Sequence, residues 1–472
     1  MELLAANHVQ PLNASPANTA IGQECKQTIN NGMVVLDNEL VPVWARDSKA
    51  DRNILPDAPT RAYRLGSKTC IQLTHFVNAR ICGSSLTNLN GPTEVVYHSP
   101  ENDVFPKFDY HNWLMSPYVL DDNSLIALTH SEWYDCLRFS EDSPKACSRK
   151  KNKANSWATA ITSYKSNDGG ASWSRIGIVE RPEQFPKLFE RFWTERSVAF
   201  GFSQPSNIIL ENKRYYAFVR YTERHLETGE KSNSGIILLS TSNPLSENWE
   251  QVTPQKTLAL QPYTGSVLPG TSTWGQVTVT WNKSLRRYLI LFWDYPKKRL
   301  MFTTTPSLAK PEFAEPMEVQ NQTTLKIPDN EGKGLFDHNY PTAQLDPDST
   351  SRNFETTDDN FFIFLNSCCR KNAHDRALFR VAAKVVLNNL PIGLAVKAEN
   401  NMPQRLAAKD GNSLPKGLFT YKTETYYSNG NGHYCIYQPK LNKNKKTARS
   451  KKITRIDTLP LFITLDGVCS NK

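Results

Sequence analysis

Acids stand beside imidazoles and aromatic rings at several points of this 472-residue chain, in combinations suited to proton transfer. His130-Ser131-Glu132-Trp133 places an imidazole and a carboxyl two residues apart, which in a strand turns both to one face. Asp109-Tyr110-His111-Asn112-Trp113, Asp57 with Arg61, and Asp337-His338 repeat the theme. Two convergent carboxyls can serve as acid and base, or as acid and nucleophile, in a hydrolysis. Asp57 is read as the base or nucleophile and Glu132 as the proton donor. Structural roles compete with these readings: Asp57 before Ala58-Pro59 also suits a turn cap, and Glu132 also suits an exposed loop. The repeated Leu-Thr-His at 73–75 and 128–130 also suits a recurring structural feature.

The elements that must position these residues are short strands. Apolar runs rich in β-branched and aromatic residues alternate with Gly, Pro, Asn and Asp, and helical periodicity is scarce. A compound unit recurs: an opening strand, a turn, a strongly apolar strand, then a hairpin. Its starts fall near Asp57, Trp113, Ser203, Trp274 and His338. The pattern predicts an all-β chain, a β-propeller of five four-stranded antiparallel blades, with six as the alternative if 418–438 and 453–467 add another. In such a blade the start of strand one and the end of strand two lie at one mouth of the axis. That rule selects Asp57, Arg61 and His75; Asp109, His111, Trp113, His130 and Glu132; and Gln204, Arg220 and Glu223. It also selects Trp274, Trp293, Asp294, Asp337, His338 and Asn366. The tryptophans suit the apolar layers between blades as well as they suit a ligand.

Ser166-Asn-Asp168-Gly-Gly170-Ala-Ser-Trp173 matches the Ser-x-Asp-x-Gly-x-x-Trp turn called the Asp-box and resembles that of sialidases and related propellers. Such a turn is a folding device: Asp and Ser bond its backbone, and Gly admits positive φ. Asp57-Ala-Pro resembles the first-blade start of the arabinanase and β-xylosidase family of five-bladed glycoside hydrolases, in which an Asp is the general base. Gln204-Pro-Ser-Asn-Ile-Ile-Leu-Glu-Asn-Lys-Arg-Tyr-Tyr216 resembles that family's Glu-Gly-Pro segment, with Gln204 in the acid's place, and Tyr118 stands where the family has a supporting Asp. The arginine triad of true sialidases is not found in order. The resemblance implies a glycoside hydrolase acting on an oligo- or polysaccharide at the axis. The departures at Gln204 and Tyr118 imply the alternative, a non-catalytic carbohydrate-binding or adhesion propeller. Arg61 or Arg220 would grip an acidic sugar, and the aromatic rings would stack on sugar faces.

The sequence divides into an N-terminal extension (1–45), the propeller (46–400) and a C-terminal segment (401–472) that packs on or closes it. Net charge is +10, with a basic run at Lys440–Arg455 read as a solvated loop rather than a nucleic-acid or membrane patch. No stretch approaches the roughly 20 apolar residues of a membrane span. No signal peptide is evident at the start as written. The cysteines favour a secreted or periplasmic setting: Cys70 with Cys82, and Cys136 with Cys147, are placed to form disulfides, although reduced, buried thiols are the alternative. No Cys pair has metal-site spacing, so no cofactor is expected, and Asp337-His338 is a weak candidate for a channel cation. Asn13, Asn282 and Asn321 begin Asn-x-Ser/Thr acceptor triplets.

Overall fold

A computed structural model describes residues 32–45, 53–100, 108–109, 111–134, 157–181, 198–225, 231–252, 267–325, 340–347, 349–367 and 376–387, and strands at 417–421, 424–428 and 434–436. All regular elements among them are β-strands, in mostly antiparallel sheets. None is a helix long and apolar enough to cross a membrane. Residues Gly32–Leu387 form one unit.

That unit begins with β1 (Gly32–Ala45). The next four strands, β2 (Arg61–Leu65), β3 (Lys68–Leu73), β4 (Val77–Gly83) and β5 (Thr93–His98), make one meander. A second meander follows in β6 (His111–Val119), β7 (Leu125–Tyr134), β8 (Trp157–Ser166) and β9 (Ser174–Glu180). Next come β10 (Val198–Ser203), β11 (Ile209–Glu211), β12 (Arg214–His225), β13 (Lys231–Thr241) and β14 (Glu250–Gln251). β10 also pairs in parallel with β8, which joins these strands to the second meander. β15 (Trp274–Asn282), β16 (Arg287–Asp294), β17 (Arg299–Thr305) and β18 (Met317–Glu318) form the next meander. Last come β19 (Tyr340–Leu345), β20 (Thr356–Thr357), β21 (Asn360–Ser367) and β22 (Ala377–Leu387). β20 adds to β15, whereas β19, β21 and β22 make a sheet whose outer strand is β1. Residues 32–45 of the stretch read from sequence as an N-terminal extension therefore belong to this sheet. In the remainder of the chain β23 (Gly417–Tyr421), β24 (Glu424–Ser428) and β25 (Tyr434–Ile436) form a separate antiparallel sheet.

Strand periodicity explains how the sheets pack. In β16, Tyr288, Ile290 and Phe292 face a layer shared with β11–β13, while Leu289, Leu291 and Trp293 face one shared with β21, β22 and β1. A continuous apolar run reads this way when both faces are covered. Ala62, Ile71 and Leu73 pack on Leu345, Phe364 and Leu378, and on the other face Tyr63 and Cys70 pack on Leu114, Leu125 and Tyr164. Tyr118, Ile126 and Leu128 meet Phe202, Ala217 and Val219 in a further layer. Cys70 and Cys82 are opposite one another in β3 and β4 and are joined as a disulfide. Cys136 and Cys147 lie outside the described residues.

Candidate active site

Asp57 lies just ahead of β2, tied to the end of β3 by its backbone N–H on the Thr74 carbonyl (2.9 Å). Its side chain is largely buried. Trp113 Nε1, from β6, donates to Oδ2 at 3.1 Å, and His75 Nε2 is 3.7 Å from the same oxygen. Arg376, immediately before β22, pairs with Oδ1. Burial pushes the Asp57 carboxyl above its ordinary value. The Arg376 charge and the bonds from Trp113 and Arg376 pull it down, and the nearby negative charge of Glu132 adds to the rise.

Glu132 is on β7 directly opposite His111 on β6, and His130 is opposite Trp113. Period-two geometry turns His130 and Glu132 to one face, with His130 Nε2 3.1 Å from Oε1 and His111 Nδ1 3.6 Å from Oε2. Glu132 is 5% exposed. Burial opposes its charge, but the bonds from and charges of His111 and His130 outweigh this and hold the carboxyl at about 2. At neutral pH Glu132 is an anion that accepts a hydrogen bond from His130 Nε2. The rings close the assembly: Phe76 lies stacked between His75 and His111, each at 3.9 Å, and the Trp113 ring is edge-on to His130 at 4.8 Å. His75 is further anchored by Nδ1 on the Asn53 carbonyl at 3.1 Å. Asp57, His75, His111, Trp113, His130 and Glu132, all singled out from sequence, thus converge from two adjacent meanders.

The other candidates have partners of their own. Asp109 accepts from Tyr164 Oη (2.9 Å) and Asn112 Nδ2 (3.1 Å) and faces Arg175 (3.8 Å), an arrangement that fixes a turn against β8. Gln204 binds Tyr295 Oη through Nε2 (3.2 Å) and accepts the Gln276 N–H (3.3 Å). Both glutamines hold positive φ, 52° and 53°, a strained backbone for residues with a Cβ. Arg220 lies over the Tyr295 ring at 4.7 Å and donates to Thr222 Oγ1 at 3.1 Å. Glu223 accepts from Tyr221. Trp274 stacks on Phe292 at 3.9 Å and Trp293 lies in an apolar layer, so both are buried packing residues. Asp294 caps the β16–β17 turn through the Lys297 N–H (2.9 Å) and Thr273 Oγ1 (3.0 Å). Asn366 clamps the segment that leads into β2, donating to the Ala58 carbonyl (2.6 Å) and accepting from Thr60 Oγ1 (3.2 Å). Tyr118 is remote from Asp57 along its strand and donates to Glu355 at 3.2 Å. Asp337 and His338 lie outside the described residues. Among those residues no group of three His, Cys, Asp or Glu is arranged to hold a metal.

Sequence reasoning missed Arg376 and Phe76. Arg376 opens the third strand of its sheet, whereas the topological rule examined only the first two. Phe76 is one residue beyond the end of β3, and Leu-Thr-His-Phe gave the only signal that could have found it.

No family model matches the chain, and no curated protein matches its sequence. Among solved structures it is similar to a family 117 glycoside hydrolase of the marine bacterium Zobellia galactanivorans, at 9% identity over 76% of this chain and 91% of that one, with a TM-score of 0.44. It is also similar to an α-L-arabinofuranosidase of Podospora anserina solved with cellotriose, at 9% identity, 76% and 98% coverage and a TM-score of 0.40. The catalytic domain of a Coprinopsis cinerea family 62 α-L-arabinofuranosidase gives 9% identity, 76% and 98% coverage and 0.39. None of the three lends a residue role to this chain.

Proposed function

We propose that the chain is a glycoside hydrolase acting on an oligo- or polysaccharide, built as a five-bladed propeller whose last blade takes β1 as its outer strand. The apolar layers support the architecture, because each sheet shares one face with the next and the last shares one with the first. The observation that carries the function is the convergence of two carboxylates in unlike environments, Asp57 paired with Arg376 and Trp113, Glu132 between two imidazoles. Asp57 acts as base or nucleophile. Glu132, ionised at neutral pH, orients His130, which hands the proton to the leaving oxygen; the donor's role read for Glu132 in the sequence passes to its partner.

The Ser166–Trp173 turn acts as an Asp-box fastening two blades, and residues 46–400 with β1 make up the propeller. The Cys70–Cys82 bridge supports an oxidising, secreted or periplasmic setting. Release of reducing ends from plant, bacterial and host polysaccharides tests the activity. Turnover by the wild type that falls about 10²–10⁴-fold in both Asp57→Asn and Glu132→Gln is the expected result. Turnover equal to that of the wild type in both variants would place the chemistry elsewhere.

A further inference from the structure

Arg61 opens β2, four residues beyond Asp57, and its side chain reaches a strand with which β2 does not pair. Nη2 donates to the Val277 carbonyl of β15 at 3.0 Å, and Nη1 to the Thr60 carbonyl at 3.3 Å. The side chain is 2% exposed. Among the described residues no carboxylate is in ion-pair range of it, and Nε has no hydrogen-bond partner. Asp57, the acid closest in sequence, is engaged by Arg376 instead. Two neutral carbonyls satisfy two of the five guanidinium donors, and among the described residues none pairs with the charge. Burial alone therefore moves its pKa, down to about 9. One residue from the carbonyl that Arg61 touches, Gln276 is 3% exposed, and its Oε1 lacks a donor among the described residues.

We propose that Arg61 is the anion-binding group of this site and that the saccharide it takes is acidic, presenting a carboxylate or a sulfate ester to the guanidinium and a neighbouring hydroxyl to Gln276. A planar guanidinium fork matches either group, and an anion supplies the charge that the surrounding carbonyls do not. A neutral sugar would leave the buried cation uncompensated. The proposal rests on the reading of the site as one that binds saccharide.

The test is calorimetric binding at fixed ionic strength of glucuronate and galacturonate, of glucose 6-sulfate and galactose 6-sulfate, and of glucose and galactose. The wild type is expected to bind one anionic class at least roughly tenfold more tightly than the matching neutral sugar, and the favoured class tells carboxylate from sulfate. In Arg61→Gln that preference disappears. Should Arg61→Gln not fold, Arg61→Lys decides: it keeps the charge but not the fork, and its anionic preference shrinks while neutral binding stays. Neutral sugars bound as tightly as both anionic classes by the wild type would overturn this inference and leave the saccharide reading standing. No binding of any probe, with no turnover on any polysaccharide, would sink both.

Discussion

Glu132 accepts from His130 at 3.1 Å and has His111 at 3.6 Å inside a sheet, and this makes its contribution to stability depend on pH in a defined direction. Its folded pKa of about 2 is below the ordinary 4.5, so the stabilisation is present above 4.5 and is lost as pH falls from there toward 2. Denaturant unfolding at a series of pH values is expected to show the wild type losing about 2–3 kcal/mol across that window. Glu132→Gln should be less stable at pH 7 and flatter below 4.5; an identical slope in both would remove the imidazole–carboxylate pairing. The pair was legible in the sequence because residues two apart on a strand share a face. Arg376 was not, because it meets Asp57 from 319 positions away and local pattern carries no trace of so distant a partner. The split between Asp109, fixed by Tyr164, and Glu132, fixed by imidazoles, was likewise invisible, since both stand beside a histidine-bearing strand.

Among the elements, the β8–β9 turn has the clearest local cause. Asp168 accepts the Ala171 and Ser172 N–H groups at 3.0 and 2.9 Å, and the Ser166 hydroxyl at 2.7 Å. Gly170 holds φ at +84°, and a Cβ there would meet the Tyr63 hydroxyl at 2.5 Å. Arg80 of β4 closes the contact from the neighbouring sheet, donating to the Gly169 carbonyl at 2.6 Å and the Tyr63 hydroxyl at 3.0 Å. The turn therefore fastens one sheet to the next, at a distance from Asp57 and Glu132. Asp168→Ala is expected to cost about 1–2 kcal/mol in denaturant unfolding with turnover unchanged, because the bonds lost are at an exposed turn. A large loss of turnover with no loss of stability would contradict this. Hairpins such as this one were readable because their partners are local. β1 was not: Val34 and Leu36 alternate as a strand should, but its partner β22 lies at the far end of the unit; β10's parallel pairing with β8 was also unreadable, because it skips the intervening β9.

At the scale of the whole unit, one segment ties together the ends of strands remote from Asp57. Residues 349–357 reach β2 through the Arg352 carbonyl, β6 through Asn353, β11 through Glu355 Oε1, and β15 through the Glu355 carbonyl. The proposed site at Asp57 and Glu132 is at the other end of these strands. Burial raises the Glu355 carboxyl above 4.5, and the Leu210 N–H and Tyr118 hydroxyl counter this only in part. Its stabilisation is present below 4.5 and is lost as pH rises through the raised folded value. Glu355→Gln, which keeps the acceptor for Leu210, is expected to flatten the decline of Tm on that rise; a decline unchanged from the wild type would show that the charge is not felt. The recurring four-strand unit made this architecture readable, whereas the segment across its far end has no repeat to betray it.

Binding and turnover measured together on Asp57→Asn test the central claim most directly, using the saccharide that the wild type hydrolyses fastest. An account in which Asp57 attacks or activates water predicts an affinity within about threefold of the wild type and a turnover at least about 10²-fold lower. Turnover retained with Asp57 neutralised, or affinity and turnover lost in equal measure, would contradict it.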